Sequence, residues 1–152
     1  MPAEHVRTQL RRKVKALLLS LPTTELRVYR GRQRALAHDH APALLVYTED
    51  ENTSLSHQGS PAVQDRDVML MVEGRVNGPD SEALEDLLDV IAAEVEPRIL
   101  QNSGFDGLAT ETVLTKTRTR IEAKGESLNG GIRLEFRVTY QTVEGVPTNA
   151  IA

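Results

Sequence analysis

GIRLEFRVTYQT, from Gly131 to Thr142, alternates without a break. Ile132, Leu134, Phe136, Val138 and Tyr140 are apolar, and Arg133, Glu135, Arg137, Thr139 and Gln141 stand between them. A period of two over this length predicts an extended strand with one face buried and the other facing water or another surface. Sliding the register by one residue would bury two arginines and a glutamate, so the pairing is strongly specified. The rest of the chain reads as strands that pair with this one and helices that cover its apolar face.

Working outward, Leu108–Ala123 carries a second alternation, with Lys116, Arg118 and Arg120 on one side and Thr115, Thr117, Thr119 and Ile121 on the other. Lys124–Gly131 (KGESLNGG) is expected to be the hairpin connection that joins it to the Gly131 strand. Val68–Val76 (VMLMVEGRV) begins with five apolar residues, which predicts a central strand covered on both faces. Ala41–Thr48 (APALLVYT) is a further apolar strand with Pro42 at its start, and Glu25–Arg30 a short one closed by Gly31.

Two stretches have helical periodicity. In Glu4–Leu21, Val6, Leu10, Val14, Leu17, Leu18 and Leu21 recur at spacings of three and four, with Arg7, Arg11, Arg12, Lys13 and Lys15 mostly opposite and Pro22 as a stop. The second helix follows Asn77-Gly78-Pro79-Asp80. Asp80 is a good N-cap, Glu82, Glu85 and Asp86 suit the positive end of the dipole, and Leu84, Leu87, Leu88, Ile91, Val95 and Ile99 form the stripe. Pro97 is expected to end or distort its last turn. The order α-β-β-β-α-β-β predicts one α+β domain over residues 1–152, a single mixed or antiparallel sheet of about five strands with two helices packed on one face.

Two segments lack periodicity. Glu49–Asp65 (EDENTSLSHQGSPAVQD) reads as a long polar loop, and loops of this length in compact domains are functional or disordered. Leu55 and Val63 are its sizeable apolar residues, a pattern that fits a segment ordering against a partner. Val146–Ala152 reads as a flexible tail.

The chain has 152 residues, a length typical of one domain, and only 3% aromatic residues with no tryptophan. The core must therefore be aliphatic. Without cysteine, disulfides and thiolate metal sites are excluded. No signal peptide and no membrane-spanning run are legible, so a soluble intracellular product is expected. The net charge of −4 is unevenly spread. Residues Met1–Ala37 have nine cations against Glu4 and Glu25, whereas His38–Glu96 has fourteen carboxylates against Arg66 and Arg75. Such asymmetry implies complementary surfaces, a basic arm toward nucleic acid, or simply solvated faces.

Chemistry-bearing groupings are sparse. His38-Asp39-His40, completed by His57 or Glu49, is the one cluster with ligand-type spacing, and no second pair stands at ligand distance. Ser54, Ser56 and Ser60 lie near His57, but no glycine-flanked elbow accompanies them. Gly125, Gly130 and Gly131 belong to a hairpin rather than to a phosphate loop. No cofactor site is legible, and a non-enzymatic protein is expected. Lys116, Arg118 and Arg120, with the basic first helix, offer a surface past which DNA moves without sequence readout.

Taken together, the basic amphipathic helix, PALLVY at Pro42–Tyr47, the acidic-polar stretch, VMLMVEGRV, the PDSE helix start at Pro79–Glu82 and GIRLEFRVTYQT resemble the tail terminator proteins of long non-contractile-tailed phages, the lambda gpU-like family. The resemblance runs from about Val6 to Thr142 and departs in the arginine-rich first helix and the length of Glu49–Asp65. It implies an α+β fold, a virion protein of the tail or neck assembled in the host cytoplasm, and a homohexameric ring without catalysis. One face of the ring would stop the tail tube protein and the other would meet the head-side connector or neck protein, with DNA passing through the lumen. On this reading Arg11 and Arg12 are expected to face Asp86 and Asp89 of a neighbouring subunit, and Glu49, Asp50, Glu51 and Leu55 to dock on the tube. The rivals are another ring-forming neck protein, a small regulatory or ligand-binding domain, and a metal-dependent hydrolase using His38 and His40.

Overall fold

The computed structural model describes residues 3–32 and 41–151. The Gly131 strand is its organising element. It extends over Ser127–Val143 as β5, and it pairs antiparallel with β3 (Val63–Gly78), β4 (Glu111–Lys124) and β6 (Val146–Ile151). Outward from β3 come β2 (Ala43–His57), antiparallel, and β1 (Val28–Arg30), parallel to β2. The sheet is therefore mixed, in the order β1-β2-β3-β5-β4, with β6 beside the far end of β5. Two helices, α1 (Val6–Leu18) and α2 (Ser81–Leu100), cover one face. This is the α+β architecture the periodicities predict, with a sixth strand added.

The predicted register of β5 holds. Ile132, Leu134, Phe136, Val138 and Tyr140 are buried and pack with Leu44, Val46, Val68, Leu70 and Val72 beneath Val6, Leu10 and Val14 of α1 and Leu88, Ile91 and Val95 of α2. β3 is central, as its apolar run implies, and its other face contributes Met71 to a small second cluster with Leu45 and Tyr47. Asp80 caps α2, its carboxylate accepting from the backbone N–H groups of Glu82 and Ala83 at 3.3 Å. Pro97 lies inside the helix, which runs on to Leu100.

Several boundaries differ for physical reasons. α1 ends at Leu18 rather than Leu21, because Ser20 takes a left-handed φ of 68° and its N–H bonds the Glu25 carbonyl at 2.8 Å. That turn absorbs the start of the expected Glu25–Arg30 strand, leaving Val28–Arg30. β4 starts at Glu111, after a turn that buries Phe105. The hairpin between β4 and β5 is only Gly125-Glu126 wide, since Lys124 pairs with Ser127, and Gly125 has a φ of 65°. Gly130 and Gly131 are thus inside a strand. Gly130 is there for space: a Cβ would stand 2.8 Å from Val76 Cγ2 and 3.6 Å from Leu88 Cδ1, where α2 approaches the sheet.

The largest correction concerns Glu49–Asp65. It is not a loop. Residues up to His57 continue β2 and those from Val63 belong to β3, so the two strands form a long hairpin arm that turns at residues 58–62. Its polar sequence conceals the pairing because Asn52 to Ser60 are exposed on both faces and no apolar stripe is needed. The expected tail at residues 146–152 is likewise strand β6 through Ile151.

Candidate interaction surfaces

Three features stand out. The first is the root of the hairpin arm. Leu44, Val46 and Thr48 face the helices, and unbroken alternation would put Asp50 next on that side. A bulge between Thr48 and Glu51 adds one residue to β2, so Glu51 instead lies opposite Val68 and points inward. Its side chain is only 8% exposed and joins Arg66 Nη1 at 3.2 Å, Arg7 Nη1 and the Tyr140 hydroxyl, which donates to Oε1. Arg66 Nε also donates to Thr142 Oγ1 at 3.0 Å. His5 closes the cluster: its Nδ1 accepts from the Arg7 backbone N–H at 3.1 Å, capping α1, and its Nε2 lies 3.5 Å from Arg66. Burial, then the Arg7 charge, lowers the His5 pKa, which favours the neutral ring that this cap requires. Burial, then the hydrogen bond to Glu51, raises that of Tyr140.

Glu51 is therefore a structural group, and the expectation that it docks a partner is corrected. Glu49 is half-buried, Asp50 is exposed, and Leu55 is 58% exposed on the arm. Of the expected docking residues, Asp50 and Leu55 are the ones presented to solvent.

The second feature is the sheet face away from the helices. Cross-strand register sets Lys116 opposite Glu135, Arg118 opposite Arg133 and Arg120 opposite Gly131, with Arg137 opposite Met69 of β3. Lys116, Arg118 and Arg120 share this face, as the alternation predicts. Arg118 Nε lies 3.7 Å from Glu135 and Arg120 Nε 3.2 Å from Glu122, with the arginine side chains 60% and 77% exposed. Lys116, Arg133 and Arg137 have no ion pair among the described residues. Glu73, Arg118, Arg120, Gly131 and Arg133 line an open groove of about 380 Å³. Nearer β2 the face is apolar, where burial and a 2.9 Å hydrogen bond to Glu73 push the Tyr47 pKa up to about 12.

The third feature is the outer surface of α2. Glu82, Glu85, Asp86 and Asp89 are exposed around Val90, and none has an ion pair among the described residues. Glu94 is different: its carboxylate accepts from the Thr23 backbone N–H at 2.9 Å and from the Thr23 hydroxyl. Glu85 and Asp89 line a second groove, with Thr119, Arg120 and Ile121 of β4 on its far wall.

Four of the five cations of α1 are engaged within the chain, Arg7 with Glu51 as above. Arg11 donates to Thr48 Oγ1 at 2.9 Å, Arg12 pairs with Glu4 at 2.6 Å, and Lys13 pairs with Asp106. Burial, then the nearby Arg30, lowers the Arg11 pKa. Asp86 and Asp89, expected to face Arg11 and Arg12 across a subunit boundary, have no ion pair among the described residues. His38 and His40 lie outside the described residues, and among the described residues no three His, Asp or Glu side chains gather as a metal set. No described helix is long and apolar enough to cross a membrane.

No protein-family profile matches the chain, and no curated protein matches it. Among solved structures it is similar to a chain from the virion of a native gene transfer agent (GTA) particle, at a TM-score of 0.42 and 15% identity, covering 89% of this chain and 92% of that one.

Proposed function

We propose that this chain is a non-enzymatic structural protein of a tailed virion: a tail terminator whose ring caps the tail tube, ends its polymerisation and joins the tail to the head-side connector. The observation that carries the reading is the hairpin arm of β2 and β3, exposed from Asn52 to Ser60 and fixed at its root by Glu51. This hairpin is backed by β5 as far as Val63↔Val143, and its exposed polar β2 edge with Leu55 on its flank suits docking on another protein. The resemblance from Val6 to Thr142 supplies the identity of the partners, the tube protein and the neck. Unlike surfaces on α2 and on the open sheet suit head-to-tail contacts, which close into rings. DNA passes the lumen without base readout, since the arginine array offers charge but the described open face has no aromatic stacking platform outside the Tyr47 cluster.

Two measurements test this. Negative-stain images of the purified chain are expected to show rings of uniform diameter. A virus with residues 52–60 replaced by a two-residue turn is expected to make tails of uncontrolled length or heads without tails. Normal tail length and full infectivity in that virus would remove the reading.

A further inference from the structure

We infer that the acidic outer face of α2 in one copy docks on the cationic open sheet face of the next copy. This rests on the ring reading and names the surfaces that close it. The two surfaces match in length and sign. Glu82 to Asp89 spans about 10 Å along the helix at about 1.5 Å per residue. Lys116 to Arg120 spans about 13 Å along the strand at about 3.4 Å per residue. The four α2 carboxylates lack ion pairs among the described residues, as do Lys116, Arg133 and Arg137, whereas Arg118 and Arg120 stand beside Glu135 and Glu122 with their side chains 60% and 77% exposed.

One copy brings its two surfaces together at one edge, where Arg120 lines a groove with Glu85 and Asp89, whereas Lys116, Arg118, Arg133 and Arg137 stand on the side of the sheet away from α2. The contact is therefore between different patches on successive copies, the head-to-tail type that generates rings. Val90, 46% exposed among the carboxylates, gives the helix an apolar centre for such an interface. Arg7, Arg11, Arg12 and Lys13 of α1 are already committed to Glu51, Thr48, Glu4 and Asp106.

The experiment is a charge exchange. One variant carries Asp86→Lys with Asp89→Lys, the other Arg118→Glu with Arg120→Glu. Asp86 and Asp89 are exposed without ion pairs, so that variant should melt close to the parent, whereas the arginine variant also loses its pairs with Glu135 and Glu122 and is compared at a temperature where its melt shows it folded. Sizing by sedimentation at low salt is expected to show the parent assembled and each variant alone weakened more than about tenfold, since like charges then meet. An equal mixture of the two is expected to assemble again, because each variant's altered face meets the other's. Raising ionic strength to about 1 M, where the Debye length is about 3 Å, should loosen the parent ring. If the parent assembles and the variants do so equally well, or if the mixture stays apart, the inference is overturned and the ring reading stands. A parent that remains monomeric at every concentration overturns both. Loss of duplex DNA binding in Arg118→Glu/Arg120→Glu with assembly unchanged assigns the array to DNA and also overturns it.

Discussion

Glu51→Ala would strip the hairpin arm of its anchor, and the structure sets the size of the effect. The carboxylate is 8% exposed and holds Arg66, itself 13% exposed, together with the Tyr140 hydroxyl and the more exposed Arg7. Hydrogen bonds to charged groups contribute about 1.5–3 kcal/mol each, but Arg7 recovers solvation when released and counts for little. The Arg66 and Tyr140 contacts, less the desolvation that the lost carboxylate no longer suffers, leave a cost of about 3 kcal/mol. For a chain of 152 residues that corresponds to a fall in Tm of about 9 °C. Glu51→Gln keeps an acceptor for Tyr140 and should lose about half as much. Thermal and urea melts followed by circular dichroism give the global number, and hydrogen exchange at Asn52 to Leu55 gives the local one. The arm amides should lose protection before the β5 amides do. If Glu51→Ala melts within about 1 °C of the parent with arm exchange unchanged, the anchor role of Glu51 is refuted.

Other outcomes follow from single positions. Leu134→Asp, at a side chain 1% exposed beneath the helices, should cost more than about 4 kcal/mol and leave little folded protein, read by urea titration. Asp80→Ala removes both cap hydrogen bonds of α2 and should cost about 1 kcal/mol without altering the fold. The raised Tyr47 pKa makes the folded state hold its proton longer than the unfolded chain does. Its contribution is complete below about pH 10, the unfolded value, and is lost as pH rises toward about 12. Tyr47→Phe should flatten the alkaline loss of stability over that window, measured as urea midpoint against pH.

Where a buried face constrained the chain, its structure was legible. β5, α1 and α2 each place apolar side chains at the period of their element, and Asp80 at an N-cap carries its own signature. Where no face is buried, the period vanishes, and the arm was read as a loop although Asn52 to Leu55 pair with Asp67 to Gln64 and His57 with Val63. Asn-Gly-Gly at 129–131 misled in the opposite direction. Gly130 makes room for Val76 and Leu88, and the turn lies instead at Gly125-Glu126. The site residues divide by the same rule. Lys116, Arg118 and Arg120 followed from alternation, whereas the inward turn of Glu51 depends on one extra residue that only pairing with β3 makes visible.

Finding strand where a loop was expected changes how the arm would bind. A disordered segment of that length loses backbone entropy of about 1 kcal/mol or more per residue when it orders on a partner, which lowers affinity per unit of contact. The paired arm has its backbone hydrogen bonds in place, and Glu51 fixes its base against α1 and β5. Ordering is therefore already complete, and under the proposed docking role modest contacts by Asp50, Leu55 and their neighbours would suffice. It also makes binding sensitive to geometry at the root. Loosening Glu51 restores the entropy cost without removing an exposed contact residue, so Glu51→Ala should weaken the proposed docking although the Glu51 side chain is only 8% exposed. Loss of affinity in Glu51→Gln that tracks its loss of arm protection would establish that link, and equal affinity in a variant with an unprotected arm would break it.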